Sequence, residues 1–354
     1  MTSLASPLLL LVFVASGAAI WVAGIKLSQE TDVLSERLHL GSALGGTILL
    51  AVATNLPEVA ITASAALAHD LGVAVGNILG GIAIQTVVLA VLDGAGVRPR
   101  KPLTYLASSL VLVLEGALVI AVLAVVVMGT QLPKGLVVAR LSPAPVAIAV
   151  LWVAGLLLVR QAGQGLPWHE GGNAPGAQAE PMGHAKQKTE ARASDAGVGT
   201  GRAALVFGAA AVVTLVAGVL IERSGEELFG RLGMSGVVFG ATVLAAATSL
   251  PEVSTGLTST RVGDYQLAIS DIFGGNAFLP VLFLLATVLS GDAVLPNAHR
   301  TDIYLTALGI LLTLTYLVGL IFRPQRQWAR LGPDSLVAIA LYAVGIVGLA
   351  VIGG

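Results

Sequence analysis

The sequence predicts an all-α integral membrane protein with ten transmembrane helices, arranged as two inverted repeats of five helices each. The first reason is composition, because 56% of the residues are hydrophobic and only 11% are charged. The second is that several apolar runs exceed the ~20 residues a helix needs to cross a bilayer. The third is an internal duplication, in which residue n matches residue n plus 194 in two separate motifs.

A hydropathy window identifies ten candidate spans. They lie at about residues 5–26, 40–68, 72–92, 103–128, 143–160, 202–221, 233–260, 264–290, 302–322 and 333–353. The first span has no positively charged leader and is expected to be a retained helix, not a cleaved signal peptide. The absence of cysteine excludes disulfides and thiolate chemistry. The net charge of −1 gives no reason to expect a nucleic-acid partner.

A polar segment rich in glycine and alanine divides the chain into two halves. It has too few large apolar side chains to form a core, so we expect a flexible linker, with a regulatory module as the alternative. The predicted organisation is a first five-helix repeat at 1–161, a cytoplasmic linker at 162–201 and a second five-helix repeat at 202–354.

The distribution of Lys and Arg predicts the orientation. With ten spans, one side of the membrane holds five of the 19 basic residues and the other side holds the remaining fourteen. The five are Lys134, Arg140, Arg223, Arg231 and Arg300. Because the richer side is cytoplasmic, both termini are expected outside the cytoplasm, in what we expect is a bacterial inner membrane. The acidic stretch 222–227 is expected to be a solvated loop.

Two motifs carry the duplication. The segment GTILLAVATNLPEV at 46–59 aligns without a gap with GATVLAAATSLPEV at 240–253. The same offset aligns GNILGGIAIQ at 76–85 with SDIFGGNAFL at 270–279. With five spans in each half, the second copy begins on the opposite side of the membrane and is inverted. Many secondary transporters bind their substrate between such repeats, near the midplane.

Each motif sets a glutamate in the middle of an apolar segment. A carboxylate at the bilayer centre costs about 3 kcal/mol on insertion scales, so Glu58 and Glu252 require a proton or a cation. Each glutamate follows a proline, which has no N–H, so the carbonyl four residues before that proline loses its helical donor. The freed carbonyls are those of Ala53 and Ala247.

Further oxygens surround each glutamate. A threonine stands one turn before it on the same helix face, with hydroxyl bonding to the preceding turn as the structural alternative. If the two motifs meet at the pseudo-twofold axis, eight residues are candidate ligands. They are Glu58, Glu252, Thr54, Thr248, Ala53, Ala247, Asn55 and Ser249. An all-oxygen set suits a hard cation such as Ca²⁺, and no histidine or cysteine lies near it.

The segments ATNLPEV and ATSLPEV, each followed by a helix with GNILGG or SDIFGG, resemble the two alpha repeats of the calcium/cation antiporter superfamily. They are most similar to the membrane regions of sodium/calcium exchangers, over about 80 residues of the two motif regions. The resemblance implies a ten-helix exchanger, not an enzyme, that needs no cofactor. It would move Ca²⁺ against Na⁺, or in related branches against H⁺, by alternating access. It also implies that the Thr and Glu of each motif bind the ions.

The second helix of each copy departs from the family pattern GNxxGSNxxN, whose Ser and last Asn (or Asp) also line the ion sites. The corresponding residues are Gly81 and Gln85 in the first copy and Gly275 and Leu279 in the second. Gln85 still offers an oxygen, whereas Leu279 does not. Asp271 stands where the first copy has Asn77, and it is a candidate ligand unless it lies solvated near the end of its span.

Several alternatives remain open at this stage. The coupling ion is Na⁺ or H⁺, and another divalent cation is possible in place of Ca²⁺. A channel would need no inverted duplication, and an intramembrane enzyme lacks HExxH, GxSxG and GxxxxGK[ST] motifs. Glu115 in the fourth span is a proton relay or an acid facing a wet crevice. Membrane lipid and the transported cations are the expected partners, and the oligomeric state is not determined.

Overall fold

The computed structural model describes residues 4–37, 51–97, 101–107, 109–167, 200–234 and 236–353, so most of the predicted linker lies outside them. Within these ranges the chain is helical and contains no strand. Eleven helices have nine residues or more: α1 Ser6–Arg37, α2 Leu56–Leu67, α3 Leu71–Val91, α4 Leu110–Thr130, α5 Pro143–Gln164, α6 Thr200–Arg231, α7 Leu250–Val262, α8 Tyr265–Phe278, α9 Leu282–Ser290, α10 Arg300–Phe322 and α11 Pro333–Gly353. Shorter helical segments are Leu92–Gly96, Leu103–Ala107, Gly236–Phe239, Gly240–Leu244, Ala245–Thr248, Leu279–Val281 and Leu295–Asn297.

Eight segments of the described chain are long and apolar enough to cross a membrane, which makes this a multi-pass integral membrane protein. They are Ser6–Thr31, Leu71–Gly96, Leu110–Thr130, Pro143–Gly163, Thr200–Arg231, Tyr265–Ser290, Arg300–Phe322 and Pro333–Gly353. The two remaining predicted spans, 40–68 and 233–260, are those that contain the glutamates. Part of the first lies outside the described residues, and both are broken near the glutamate. The count of ten therefore stays a prediction.

The outer helices present apolar side chains outward. Exposed valines and leucines follow one face of α5 and of α11. Contact of these side chains with water would be unfavourable, whereas contact with lipid is favourable. They include Val150, Val153 and Leu157 on α5 and Val344, Val347 and Val351 on α11. By contrast, α3 is largely buried and forms the centre of the bundle.

The prediction of a loop at 222–227 is wrong, because α6 continues through this stretch to Arg231. Glu222 is only 6% exposed. The segment packs beside the last turn of α2, where Arg223 donates to the hydroxyl of Ser64 at 3.3 Å. Its three glutamates and its arginine are also good helix formers.

A second duplication accompanies the first. VARLSP at 138–143 and WARLGP at 328–333 form the same tight turn, closed by bridges between Val138 and Leu141 and between Trp328 and Leu331. The two central residues of each turn have positive φ, between 50° and 72°. Each turn leads into α5 or α11 with a proline in the first helical turn. The two halves thus share a turn as well as the motifs.

Contacts between connecting segments define the two ends of the bundle. At one end His69, just after α2, lies 3.3 Å from Asp292, and Arg140 donates to the carbonyl of Val288 at 3.2 Å. At the other end the amide of Gly332 donates to Asp93 at 2.6 Å. The last turn of α7 lies at this same end, beside Gly96. A β-carbon added to Gly96 would lie 2.9 Å from Cβ of Thr260 in that turn. The helices α2 and α7 therefore run from the middle of the bundle to opposite ends.

Candidate cation site

Both motif segments interrupt the helix at the same position. The break falls at Asn55 in the first copy and at Ser249 in the second, two residues before the proline. Each side chain bonds back to the carbonyl four residues earlier: Asn55 Nδ2 to Ala51 O, and Ser249 Oγ to Ala245 O, both at 2.7 Å. A new helix then begins with the proline in its first turn, where the missing N–H costs nothing. Asn55 and Ser249 therefore stabilise the broken backbone.

The two glutamates lie in the first turns of α2 and α7. Glu58 and Glu252 are both 0% exposed, and the carboxylates are close enough to repel each other electrostatically. The N-terminal end of a helix favours negative charge, which partly compensates each carboxylate. Among the described residues neither glutamate forms an ion pair with a basic side chain. The geometry therefore brings two acids from different halves together in the centre of the bundle.

The threonines pair with the glutamates across the two copies. The hydroxyl of Thr248 faces the carboxylate of Glu58, and that of Thr54 faces Glu252. Each hydroxyl also approaches the carbonyl of the preceding turn, Thr248 at 3.2 Å from Ala245 O and Thr54 at 3.4 Å from Ala51 O. The sequence grouped each threonine with the glutamate of its own motif, whereas the folded chain directs it to the other one.

Gln85 on α3 connects the two copies. Its Nε2 donates to Glu252 Oε1 at 3.2 Å and to Asn55 Oδ1 at 3.3 Å. The residue is fully buried, and its Oε1 has no hydrogen-bond partner among the described residues. Gln85 therefore contacts both motif segments through Nε2 and keeps an amide oxygen without a hydrogen-bond partner in the described part of the chain.

Asp271 on α8 is 2% exposed, so it does not lie at a solvated helix end. Its Oδ2 accepts a hydrogen bond of 2.6 Å from Thr255 on α7. The carboxylate also lies close enough to Glu252 to interact with it electrostatically. Its counterpart Asn77 is fully buried too, with no hydrogen-bond partner for either side-chain polar atom in the described part of the chain.

Several buried oxygens in this region have no hydrogen-bond partner among the described residues. They are both carboxylate oxygens of Glu58, Oε2 of Glu252, Oδ1 of Asp271 and Oε1 of Gln85. Buried polar atoms are normally satisfied, so several unsatisfied oxygens on neighbouring helices indicate room for a partner such as a cation. In the described ranges no three acidic or histidine side chains approach closely enough to hold one ion together. Hydroxyl, amide and main-chain oxygens would have to complete the coordination.

The two glycines that depart from the family pattern, Gly81 and Gly275, pack against larger side chains of the other copy. A β-carbon at Gly275 would lie 2.9 Å from Asn55 Nδ2 and 3.5 Å from Gln85 Oε1, so the longer Gln85 occupies the space beside this glycine. A β-carbon at Gly81 would lie 3.4 Å from Cδ1 of Leu279. Each glycine of one copy thus faces the larger side chain of the other copy.

Two glycines that cover the prolines lie outside the motifs and were not among the predicted site residues. A β-carbon at Gly218 of α6 would lie 3.1 Å from the carbonyl oxygen of Pro57. At Gly24 of α1 it would lie 2.8 Å from Cβ of Pro251. These glycines are 194 residues apart, so the offset itself was the available signal. The long helices α1 and α6, which pack on each other, therefore approach the broken helices through glycine.

Two further polar contacts were also missed. Asn276 donates to Thr86 at 2.9 Å across α8 and α3, and both side chains are fully buried. Asn276 stands where the first copy has Ile82, and a polar residue in an apolar helix was the signal. Ser270 donates to Glu115 Oε1 at 2.9 Å. Glu115 therefore touches α8 one residue before Asp271.

A helical bundle that brings one buried carboxylate from each of two repeats to its centre is the architecture of a membrane cation exchanger. The chain belongs to the sodium/calcium exchanger protein family, whose sequence profile matches residues 8–161 and 202–351. The inner membrane protein YrbG of Escherichia coli (strain K12) is 28% identical over 281 residues, which is 78% of either chain. A putative antiporter CaxA of Alkalimonas amylolytica is 30% identical over 101 residues, 28% of this chain and 31% of that protein.

Solved structures share the fold. A structure of the sodium-calcium exchanger NCX_Mj soaked with Na⁺ and Ca²⁺ matches with a TM-score of 0.59 at 15% identity, over 97% of this chain and 98% of that one. The crystal structure of the H⁺/Ca²⁺ exchanger CAX matches with a TM-score of 0.56 at 13% identity, over 97% of this chain and 87% of that one. Membership in the family makes cation exchange the activity class, and the identity of the coupling ion is a separate question.

Proposed function

We propose that this protein is a secondary active antiporter that exchanges Ca²⁺ for Na⁺ across the membrane by alternating access. The observation that carries the proposal is the meeting of Glu58 and Glu252, fully buried, near one another and without a basic partner among the described residues. Two such acids are tolerable inside a membrane only with positive charge between them. One Ca²⁺ supplies the two charges that balance both.

The proposed ligands are the oxygens that approach these carboxylates from both copies. Glu58 and Glu252 supply charge, and the crossed hydroxyls of Thr248 and Thr54 supply neutral oxygens. The remaining proposed ligands are the carbonyls of Ala53 and Ala247 and the side chains of Asn55, Ser249, Gln85 and Asp271. Of these, Asn55 Oδ1 already accepts a hydrogen bond from Gln85 Nε2 at 3.3 Å, whereas Ser249 Oγ donates to Ala245 O and keeps lone pairs that can coordinate a cation.

Obligatory exchange follows from the charge of the empty site. Two ionised carboxylates in a dry centre repel each other strongly, so the empty site is expected to change access poorly. Either Ca²⁺ or Na⁺ ions remove that repulsion. The pair α1 and α6 is our candidate for the moving element. It touches the broken helices at Gly24 and Gly218, which have no side chains that would interlock with those helices.

The proposed architecture has ten spans in two inverted repeats, 1–161 and 202–354, joined by a cytoplasmic linker at 162–201, with both termini outside. It is supported by the opposite directions of α2 and α7 and by the grouping of basic residues. Arg140 lies at one end of the bundle, whereas Lys101 meets Gln325 at the other. This grouping agrees with the alternation used to predict the orientation.

The test is ⁴⁵Ca²⁺ uptake into proteoliposomes of the full chain loaded with Na⁺ and diluted into Na⁺-free buffer. Uptake is expected for the wild type and is expected to be lost in Glu58→Gln and Glu252→Gln. The variant Asp292→Asn is the control, because this carboxylate is exposed at the surface, 3.3 Å from His69. Ca²⁺ uptake that persists in both glutamine variants would overturn the proposal, and so would Ca²⁺ uptake that needs no gradient of Na⁺ or of Ca²⁺.

The second candidate is an H⁺-coupled exchanger of Ca²⁺ or of another divalent cation. It is favoured by the loss of side-chain oxygens at Gly81, Gly275 and Leu279, since a proton needs a single acceptor and Na⁺ needs a shell of oxygens. The same vesicles loaded at acidic pH without Na⁺ distinguish the two. Ca²⁺ uptake driven by the proton gradient alone would identify H⁺, and not Na⁺, as the coupling ion.

A further inference from the structure

A third buried carboxylate lies beside the site in one half of the molecule only. Asp271 on α8 is nearly as buried as Glu58 and Glu252. With the offset of 194, its counterpart is Asn77, and the counterpart of its partner Thr255 is Ile61. The first copy therefore has neither the acid nor the hydroxyl.

The α7–α8 hairpin gathers oxygens of three kinds around this carboxylate. The hydroxyl of Thr255 lies 2.6 Å from Asp271 Oδ2 and 3.2 Å from the main-chain oxygen of Glu252. Asp271 Oδ1 and Glu252 Oε2 have no hydrogen-bond partner among the described residues. Hydroxyl, carbonyl and carboxylate oxygens are the ligands that hard cations prefer.

Charge gives the second reason to expect a further ion. The three carboxylates carry −3 when ionised, and Ca²⁺ neutralises only two of these charges. In the part of the chain that the structure describes, no basic side chain pairs with any of the three. An unbalanced charge in a dry interior costs several kcal/mol. Since the three acids do not converge on a single point, one ion cannot serve them all.

We propose that Asp271, Thr255 and Glu252 form a second subsite that takes Na⁺ while Ca²⁺ occupies the subsite between Glu58 and Glu252. Na⁺ brings the total charge to zero, whereas a second Ca²⁺ would leave an excess of one positive charge. The inference rests on the proposed function and deepens it. Na⁺ is then a co-ligand of Ca²⁺ at low concentration and a competitor at high concentration, when Na⁺ ions replace Ca²⁺ as well.

The experiment is equilibrium binding of ⁴⁵Ca²⁺ to the detergent-solubilised full chain at increasing Na⁺, with choline replacing Na⁺ at constant ionic strength. The wild type is expected to give a rise in Ca²⁺ affinity of at least about fivefold at low Na⁺, the lower end of ordinary coupling between two sites, followed by a fall. In Asp271→Asn the rise is expected to disappear while the fall remains, because the neutral amide no longer holds Na⁺.

Matched variants separate the subsite from general damage. Thr255→Val is expected to lose the rise and Thr255→Ser to keep it, since serine retains the hydroxyl. Thr313→Val is the control, because Thr313 is a buried threonine of α10 whose hydroxyl bonds to the carbonyl of Gly309 at 2.8 Å, and it is expected to behave as the wild type. A curve that only falls with Na⁺ in the wild type, or a rise that survives in Asp271→Asn, would overturn the inference.

Two other results have distinct meanings. A rise produced by lowering the pH and absent with Na⁺ would overturn Na⁺ as the occupant of the subsite. If Glu58→Gln and Glu252→Gln bind Ca²⁺ as the wild type does, the proposed function itself fails. If those two variants lose Ca²⁺ and Asp271→Asn has an unchanged Na⁺ profile, the proposed function stands and only the second subsite fails.

Discussion

Gly275→Ser tests whether the two halves have adjusted to each other at the site. Serine is the residue of the family pattern at this position, yet its β-carbon would lie 2.9 Å from Asn55 Nδ2, well inside an ordinary contact of 3.4 to 4 Å. Asn55 would have to move by about 0.5 to 1 Å, and its 2.7 Å bond to Ala51 O would lengthen. Overpacking of this kind typically costs about 1–3 kcal/mol.

Gln85→Asn is expected to relieve the clash, because it shortens the neighbouring side chain by one methylene and lets Asn55 shift toward the space that Gln85 leaves. Alone, this variant loses the 3.2 Å bond to Glu252 and leaves a small void. The double variant Gly275→Ser/Gln85→Asn is therefore expected to lose less Ca²⁺ affinity and less stability than the sum of the losses in the two single variants. The coupling energy expected for residues in contact is about 0.5–3 kcal/mol.

The assay is a double-mutant cycle on Ca²⁺ affinity, with an apparent melting temperature in detergent measured for all four proteins. A favourable coupling in both quantities supports the packing relation. Strictly additive effects would refute it, and so would a Gly275→Ser variant that binds Ca²⁺ and melts as the wild type does.

Two further predictions use the internal repeat as its own control. Thr54→Val and Thr248→Val are each expected to weaken Ca²⁺ binding by about tenfold or more, the value of a hydrogen-bonding group next to a charge, and by similar factors because the contacts are crossed; a large effect in only one would contradict the symmetry. Gly80→Ala is expected to lower the melting temperature, because its methyl group would press on the backbone of Ala241, whereas Gly274→Ala meets only an ordinary contact of 3.9 Å and is expected to melt as the wild type does. Equal behaviour of the two alanine variants would contradict this difference.

Several features could be predicted from the sequence because they are properties of the chain taken in order. Apolar length identified eight helices that the structure contains, and the offset of 194 selected Glu58 and Glu252 as a pair. The proline of each motif also predicted that helical hydrogen bonding is disturbed next to the glutamate. The stretch 222–227 was misassigned because its charges were read without the surface of α2 and α3 that it packs against.

Other features could not be predicted because they depend on which side chains fill a shared volume. Gly275 and Gln85 look like two independent losses in sequence, yet they are one exchange of volume between facing helices. Likewise Asp271 had two readings until burial against Thr255 excluded the solvated one.

The sequence by itself determined that the chain lies in a membrane and that it contains a duplicated acidic motif, and it predicted a ligand set made of oxygens. Hydropathy, repeat spacing and residue chemistry are all readable along one dimension. Only the tertiary structure decided that each threonine faces the glutamate of the other copy and that Asp271 adds a third buried carboxyl group on one side. Partners across the bundle depend on how closely helices approach, and glycines at Gly24 and Gly218 set that distance against the two prolines.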